Sequence, residues 1–416
     1  MVSKRHLDNH EFETVKQLNG WHIITCEYPP KIGGVSDYTF LVARELASRG
    51  DAVQVWCGGS EGNCPQLPGV TVHPDLGRFS LRNLRRAGKL LDDFPAPRRL
   101  FVQWVPHGYG YRSVNIFFCL WLWMRARFKH DQVEIMFHEV WLSFGGTWKA
   151  NLAAAMHRIM VKLLKHAASR IWVAGESWRK YLQGGSAQVQ WLPVPSNVEC
   201  RVDPAAVASV RQRCGVYDGL LIGHFGIGDS LVERMLKQLI PELLRNCTQA
   251  SFLLIGKSSE RFAHEVRRDF ADIGDRIFSS GMLASDQIAA HISACDLIVQ
   301  PYIDGISTRR TAAMAALANG RPLLTTSGHS TEAFWRHCNQ LALVPANDSI
   351  SLAACARQLL DNPGERTRMS AAGRELYKTL FDVSVSIDVL RGVRAPLQQE
   401  SVELAVQSMT ANNRTA

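Results

Sequence analysis

Acidic residues are in deficit in this 416-residue chain. Its 38 Asp and Glu stand against 47 Lys and Arg, a formal charge of +9. A basic surface suits nucleic acid, anionic lipid or a phosphorylated substrate. The positive charge is spread out, and no basic stretch is interleaved with stacking aromatics, which argues against a nucleic-acid module. Long apolar runs are also missing. None reaches the roughly 18 residues that span a bilayer, and the nearest, Val114 to Met124, is short and interrupted by Asn115. The opening MVSKRHLDNHEFETVKQ has no apolar signal core, so a cytoplasmic location is expected. The ten cysteines form no CxxC pair, and several sit within apolar stretches. That pattern fits a reducing compartment and neither a disulfide framework nor a zinc site. No GxGxxG fingerprint with its ribose-binding acid is present, so a nicotinamide dinucleotide is a poor fit. No carboxylate pair of the DxD kind ends a predicted strand, and neither a metal nor another cofactor is expected.

What the chain does have is alternation. Short β-rich runs at 21–26, 51–56, 98–104, 133–137, 170–174 and 187–194 alternate with helical patterns, including 36–49 and 148–167. A polar stretch rich in Pro and Asn interrupts the pattern. Alternation resumes with runs at 219–226, 251–256, 275–281, 296–302, 321–326 and 341–345. Strands alternating with helices imply βαβ units and parallel sheets. The fold class is therefore α/β, with two Rossmann-like domains. The expected division is an N-terminal extension at 1–19, a first domain at 20–195, a linker at 196–217, a second domain at 218–380, a C-terminal helix at 381–395 and a tail at 396–416. Ligands of such sheets bind at the carboxyl ends of strands, and the default site is a deep interdomain cleft.

Between the first strand and the first helix lies EYPPKIGGVSDY, with two prolines and two glycines. Without Cβ atoms, Gly33 and Gly34 let a ligand approach the backbone. The helix N-terminus beyond them suits phosphate. A tight turn explains the glycines equally well. Further on, His138 directly follows the strand VEIMF, beside Glu139. Arg309 and Arg310 open a predicted helix, where they oppose the helix dipole. They would be stabilised by an anion at that helix end, since an arginine fork suits a diphosphate. Ser307 or Thr308 is a candidate cap for the same helix.

The YPP…GGVSDYTFLVARELASRGDAVQVW stretch resembles the opening of the family 4 glycosyltransferases of the GT-B fold, bacterial type. QWVPHGYG (103–110), EIMFHEVW (134–141), WLPVPSNV (191–198) and DLIVQPYIDGISTRRTAAMAALANGRPLLTT (296–326) resemble later segments of the same family in the same order. The resemblance covers roughly residues 20 to 380. It implies transfer of a sugar from a nucleotide diphosphate-sugar to a hydroxyl acceptor, with retention of configuration. It also implies an acceptor that relatives often take in lipid-linked form, and hence a peripheral contact with the inner face of a membrane. It assigns His138, Arg309 and Arg310 to catalysis. Gly33, Gly34, Asp304, Gly305, Ser307, Thr308 and Thr311 go to the donor and its diphosphate, and His107 and Glu139 to the acceptor side.

The chain departs from the family where two glutamates are usual, eight positions apart. Ser307 and Ala315 stand there. The Lys-Gly pair common early in the second domain is also missing, which leaves His224 or Lys257 as local sources of charge. Two rival readings stay open: a binding-only partner subunit and a sugar-nucleotide epimerase. The segment 113–130, with Arg125, Arg127 and Lys129 at its end, reads either as a core helix with a basic end or as a helix lying on anionic lipid.

Overall fold

The computed structural model describes residues 20–412, apart from 60–63, 111–112, 199, 201 and 227. The expected N-terminal extension lies outside the described residues. The chain divides into two compact units. The first comprises residues up to Pro193 plus Val383–Leu397, and the second Val194–Asp382 plus Gln398 onward.

The first unit holds strands β1 (Trp21–Ile24), β2 (Val53–Trp56), β3 (Val70–His73), β4 (Arg99–Trp104), β5 (Gln132–Phe137), β6 (Arg170–Val173) and β7 (Gln188–Trp191). Its helices are α1 (Gly34–Ser48), α2 (Leu81–Asp92), α3 (Ile116–Phe128), α4 (Trp148–Ala167) and the short α5 (Arg179–Leu182). The strand order is β3-β2-β1-β4-β5-β6-β7, with every pairing parallel. The chain reverses its winding between β1 and β4. Loops leaving these two strands therefore diverge and open a crevice at the carboxyl edge. β1 and β4 are buried along their whole length, as sheet strands covered on both faces must be. β3 and α2 were not read from the sequence. β3 is a four-residue edge strand with no fully buried residue, so its apolar signal is weak.

The second unit opens with α6 (Pro204–Arg213) and continues through β8 (Leu220–Phe225), α7 (Ser230–Asn246), β9 (Ala250–Ile255), α8 (Ser259–Asp269), β10 (Ile277–Ser279), α9 (Ser285–Ala294) and β11 (Leu297–Gln300). Then come α10 (Thr311–Ala318), β12 (Leu323–Ser327), α11 (Ala333–Arg336), β13 (Ala342–Pro345), α12 (Ser349–Asp361) and α13 (Pro363–Leu380). The parallel order is β10-β9-β8-β11-β12-β13, with the reversal between β8 and β11. Its core is largely aliphatic: Leu236, Leu239, Ile240 and Leu243 of α7 pack with Phe252 and Leu254 of β9.

The chain then returns to the first unit as α14 (Val383–Leu390), which packs on α1. Arg49 Nη1 reaches Asp388 Oδ1 at 2.6 Å, and the buried Arg99 donates to the Leu390 carbonyl at 2.7 Å. Two expected irregular segments are ordered. The linker contains α6, which Asp203 caps by accepting from the Ala205 N–H. The supposed tail carries α15 (Gln399–Asn412), whose Val402 and Val406 are buried in the second unit. Two buried valines four residues apart anchor a helix; the polar residues around them hid that signal.

Candidate functional site

At the carboxyl edge of the first sheet, the Gly33–Gly34 loop leads from β1 into α1. The phosphate expected at the α1 N-terminus meets a competitor from the chain itself. Glu27 Oε1 accepts from the Ser36 N–H at 3.2 Å, and Ser36 Oγ donates to the Lys31 carbonyl at 2.6 Å. A carboxylate thus already offsets the positive end of the helix. A Cβ at Gly33 would lie 2.3 Å from Glu27 Oε1, so this glycine makes room for Glu27. A Cβ at Gly34 would meet nothing within 4 Å. The open space predicted for the loop therefore sits at Gly34. Nothing in the sequence singles out Glu27, which lies two residues before Pro29.

His138 follows β5 as predicted, its N–H continuing the ladder to the Trp104 carbonyl at 3.0 Å. Its ring is half-buried. Nε2 lies 2.9 Å from Gln103 Oε1, and the ring stands edge-on to Tyr38, centroids 4.7 Å apart. Gln103 is in turn held by Tyr109, whose hydroxyl donates to the Gln103 carbonyl. Burial lowers the His138 pKa from 6.5 to about 3, so the imidazole is neutral at ordinary pH. An Nε2–H donating to Gln103 leaves Nδ1 as an acceptor. A ring held this way orients a hydroxyl and does not supply charge. His107 and Glu139 lie in the loops just beyond the neighbouring strands β4 and β5. Their Nδ1 and Oε2 are 3.9 Å apart, with His107 exposed and Glu139 half-buried.

In the second unit, the segment from β11 to α10 carries the other predicted residues. Arg309 Nη2 donates to Asp304 Oδ2 at 2.7 Å, and Arg310 Nη2 donates to Asp304 Oδ1. The Arg310 guanidinium also lies over the buried Tyr302 ring, 4.4 Å from its centroid. Burial alone would raise the Asp304 pKa, but Arg310 and Arg309 outweigh it and hold the carboxyl below its ordinary value. The negative charge offsetting two arginines at a helix start is thus first of all internal. One carboxylate against two guanidinium groups leaves the loop with a net charge of +1. Asp304 is therefore a holder of arginines and is poorly placed to meet a phosphate itself.

The helix starts later than predicted. α10 begins at Thr311, Arg310 holds the cap position, and no side chain caps it. Thr308 does not cap either. It is fully buried, and its N–H and hydroxyl are both accepted by Glu332 Oε1, at 3.1 and 2.8 Å. Glu332 also receives Trp335 Nε1 at 3.1 Å. This buried carboxylate fixes the loop from behind; it lies 28 residues beyond Asp304, with no sequence signal. Gly305 serves packing: its φ is +87° and a Cβ would lie 2.1 Å from the Gly328 N–H nitrogen. Ser307 Oγ, Tyr302 OH and Arg310 Nε are buried with no hydrogen-bond partner among the described residues. Thr311, half-buried, opens α10 beside them.

His224 is not a source of charge. It is buried in β8, Nδ1 lies 2.8 Å from the Val299 carbonyl, and burial lowers its pKa to about 4. Ala315, at the position of a family glutamate, is fully buried within α10. Arg125 is not a surface cation either. It is buried against Asp131 at 2.5 Å and Asp92 at 2.9 Å, and Lys129 also reaches Asp92 at 3.0 Å. α3 is therefore a packed helix whose basic end is largely neutralised within the unit. Among the described residues, no group of three His, Cys, Asp or Glu is placed to hold a metal ion, and no helix is long and apolar enough to cross a membrane.

Residues 220–362 match the family model for glycosyl transferases, group 1. A curated relative, the 2-deoxystreptamine glucosyltransferase of Streptomyces kanamyceticus, is 26% identical over 206 residues, 48% of this chain and 52% of the relative. The chain spans about half the length of that relative. Among solved structures, HepE of Anabaena in complex with UDP and glucose has a TM-score of 0.66 at 15% identity, over 90% of this chain and 98% of that one. Sucrose-phosphate synthase of Thermosynechococcus elongatus has a TM-score of 0.64 at 17% identity, over the same shares of the two chains. A glycosyltransferase of Rickettsia africae has a TM-score of 0.65 at 13% identity, covering 92% and 99%. At these identities the structural likeness establishes the GT-B fold.

Proposed function

We propose that this chain, whose residues 220–362 match the family model for glycosyl transferases, group 1, and whose fold is GT-B, moves a hexosyl group from a nucleoside diphosphate-sugar to a hydroxyl acceptor with retention of configuration. The observation that carries the reading is the loop from Asp304 to Arg310, a net-positive pair of guanidinium groups fixed at the uncapped start of α10. Unpaired N–H groups at a helix start and guanidinium donors suit the same ligand, a diphosphate. Relatives of this fold have been solved with UDP and with UDP-glucose, which makes a uridine diphosphate the first donor to test.

The bond from the anomeric carbon to the diphosphate oxygen breaks, and a bond from that carbon to the acceptor oxygen forms on the same face. The acceptor proton passes to the departing phosphate oxygen. The main task is to stabilise the developing diphosphate charge, an electrostatic contribution. Arg309 and Arg310 supply it. Asp304 sets their direction and lowers their mobility. His138, neutral and buttressed by Gln103 and Tyr38, positions a sugar hydroxyl. Gly34 leaves room at the same edge, and His107 and Glu139 flank the acceptor side.

A panel of nucleoside diphosphate-sugars tests the reading. The expected result is slow hydrolysis of one donor, with release of its nucleoside diphosphate. Interconversion of donors would make the protein an epimerase. Binding without turnover in the presence of any hydroxyl acceptor would make it a partner subunit.

A further inference from the structure

The loop that carries His138 and Glu139 goes on to present aromatic rings beyond the same carboxyl edge of the first sheet. Residues 143–150 are all exposed, and Phe144 among them is 55% exposed. Trp141, at the start of this stretch, is half-buried. Tyr181, 46% exposed, comes from α5, which follows the adjacent parallel strand β6. The Trp141 and Tyr181 ring centroids are 5.4 Å apart, with the planes tilted by 59°. The Arg158 guanidinium joins the third ring to this pair. It stands 4.9 Å from the Trp141 centroid and 3.9 Å from that of Phe144. Single exposed apolar residues are normal, but a contiguous group of rings marks a binding site.

Three side chains of α4 hold the loop in place. The buried His157 accepts from the Leu142 N–H at 3.4 Å, and its Nε2 lies 2.7 Å from the Ser113 carbonyl. Arg158 Nη1 donates to the Leu142 carbonyl at 3.3 Å and to the Ala154 carbonyl at 2.7 Å. Asn151 Oδ1 accepts from the Gly145 N–H at 3.0 Å. A loop fixed in this way loses little freedom when a ligand settles on its rings.

What lies between the rings chooses the occupant. An acyl chain needs a continuous apolar channel. Here a guanidinium separates Trp141 from Phe144, and Ser143, Gly145, Gly146 and Thr147 make up the rest of the loop. A nucleic acid would bring its phosphates towards Glu139 and Glu176, which stand on the same two connections. A saccharide accepts both features at once. A pyranose has a flat face of C–H groups that packs on an aromatic ring. It also has a rim of hydroxyls that can bond to carboxylate and guanidinium groups.

We propose that Trp141, Phe144 and Tyr181 form a saccharide subsite, on which an outlying sugar of an oligosaccharide acceptor stacks while the reacting end lies at His138. Trp141 is three residues beyond His138 on one loop, so the two positions are continuous along the sheet edge. The placing of the reacting end rests on the function proposed above; the saccharide site itself does not.

The test probes an array of immobilised hexose, hexosamine and uronic-acid oligosaccharides with the full chain, and titrates each saccharide retained by calorimetry. The expected result is binding of at least one oligosaccharide. Phe144→Ser and Tyr181→Ser, both at exposed positions, should each cost about tenfold in its affinity, the scale of one ring contact. Tyr181→Phe, which keeps the ring, should retain most of it. Ile350→Ser, 82% exposed in the second unit, should change nothing. Thermal melting establishes that each variant is folded. An array on which no saccharide is retained overturns the proposal. So does an affinity that survives Phe144→Ser combined with Tyr181→Ser. A concentration-dependent dimer abolished by that pair, with no saccharide retained, would overturn it in favour of a self-interface. Donor hydrolysis by the unmodified chain, measured alongside, separates this proposal from the transferase reading. Ring-dependent saccharide binding without hydrolysis of any donor would leave the saccharide site standing and overturn that reading. Donor hydrolysis with no saccharide retained would do the reverse.

Discussion

Two strand-to-helix loops, one in each unit, look alike in sequence and differ in charge logic. Both follow a strand near its sheet's winding reversal, both contain glycine, and both lead into a helix. Each also carries its own carboxylate. In the first unit Glu27 accepts from the α1 N-terminus, and with Lys31 in the loop and Asp37 in the first helical turn the formal charge there is −1. In the second, Asp304 accepts from two arginines, so one anion meets two cations and the helix end stays uncapped. On formal charge, a dianionic ligand would be disfavoured by the first arrangement and favoured by the second. Glycine content alone does not separate a phosphate site from a packing site. The count of internal charges does.

A set of substitutions and a pH series sharpen or break that contrast. A large effect is expected at the first edge, but on rate and not on diphosphate binding. His138→Ala should lower the transfer rate about a hundredfold, the scale on which loss of positioning acts. UDP affinity should stay unchanged, as measured by calorimetry. A parallel fall in UDP affinity would mean that the first unit also holds the diphosphate.

Acid stability comes next. His22 and His224 are buried, one in each unit, and both have pKa values lowered from 6.5 to about 4. Burial is the main cause for each, reinforced at His22 by Arg98. Above pH 6.5 both are neutral in either state, and stability is full. As pH falls from 6.5 towards 4, only the unfolded chain takes up these protons, so stability drops. The slope is up to about 1.4 kcal/mol per pH unit for each histidine. Denaturant unfolding across that window checks it, and His224→Gln should flatten the slope.

A smaller effect separates the two glycines. Gly33→Ala should cost about 1 kcal/mol, the worth of a helix-end acceptor, because its Cβ displaces Glu27. With Glu27→Ala already in place, the same change should cost far less, so unfolding of the double variant measures the coupling directly. Additive costs would show that Gly33 is needed for another reason. Gly34→Ala, with open space around its Cβ, should leave stability within about 0.5 kcal/mol and act, if at all, on acceptor kinetics.

Much of the fold was legible because strand and helix periods alternate plainly, and the long α4 is found at the predicted 148–167. Short or edge elements were not: β3 offers no buried residue, and α15 hides two buried valines among polar neighbours. The positions of His138, Gly34 and the two arginines could be read, because strand ends and helix starts are sequence features. Their partners could not. Glu27, Asp304 and Glu332 reach their targets through folding across loops, and Gln103 reaches His138 from the adjacent strand, 35 residues away. The sign of a residue's charge is in the sequence, but what neutralises it is in the packing. That is why Arg125 looked like a surface cation and is buried.

The central claim is that the second unit's loop holds the diphosphate while the first unit's loop does not. Calorimetric titration of UDP tests it on two double variants, Arg309→Ala with Arg310→Ala, and Glu27→Ala with Gly34→Ala. A charge-assisted hydrogen bond contributes roughly 1.5 to 3 kcal/mol, so the arginine variant should lose at least about a hundredfold in UDP affinity while remaining folded by thermal melting. The Glu27 variant should bind UDP as the unmodified chain does. Equal UDP binding by the arginine variant, or a loss confined to the Glu27 variant, would contradict the account.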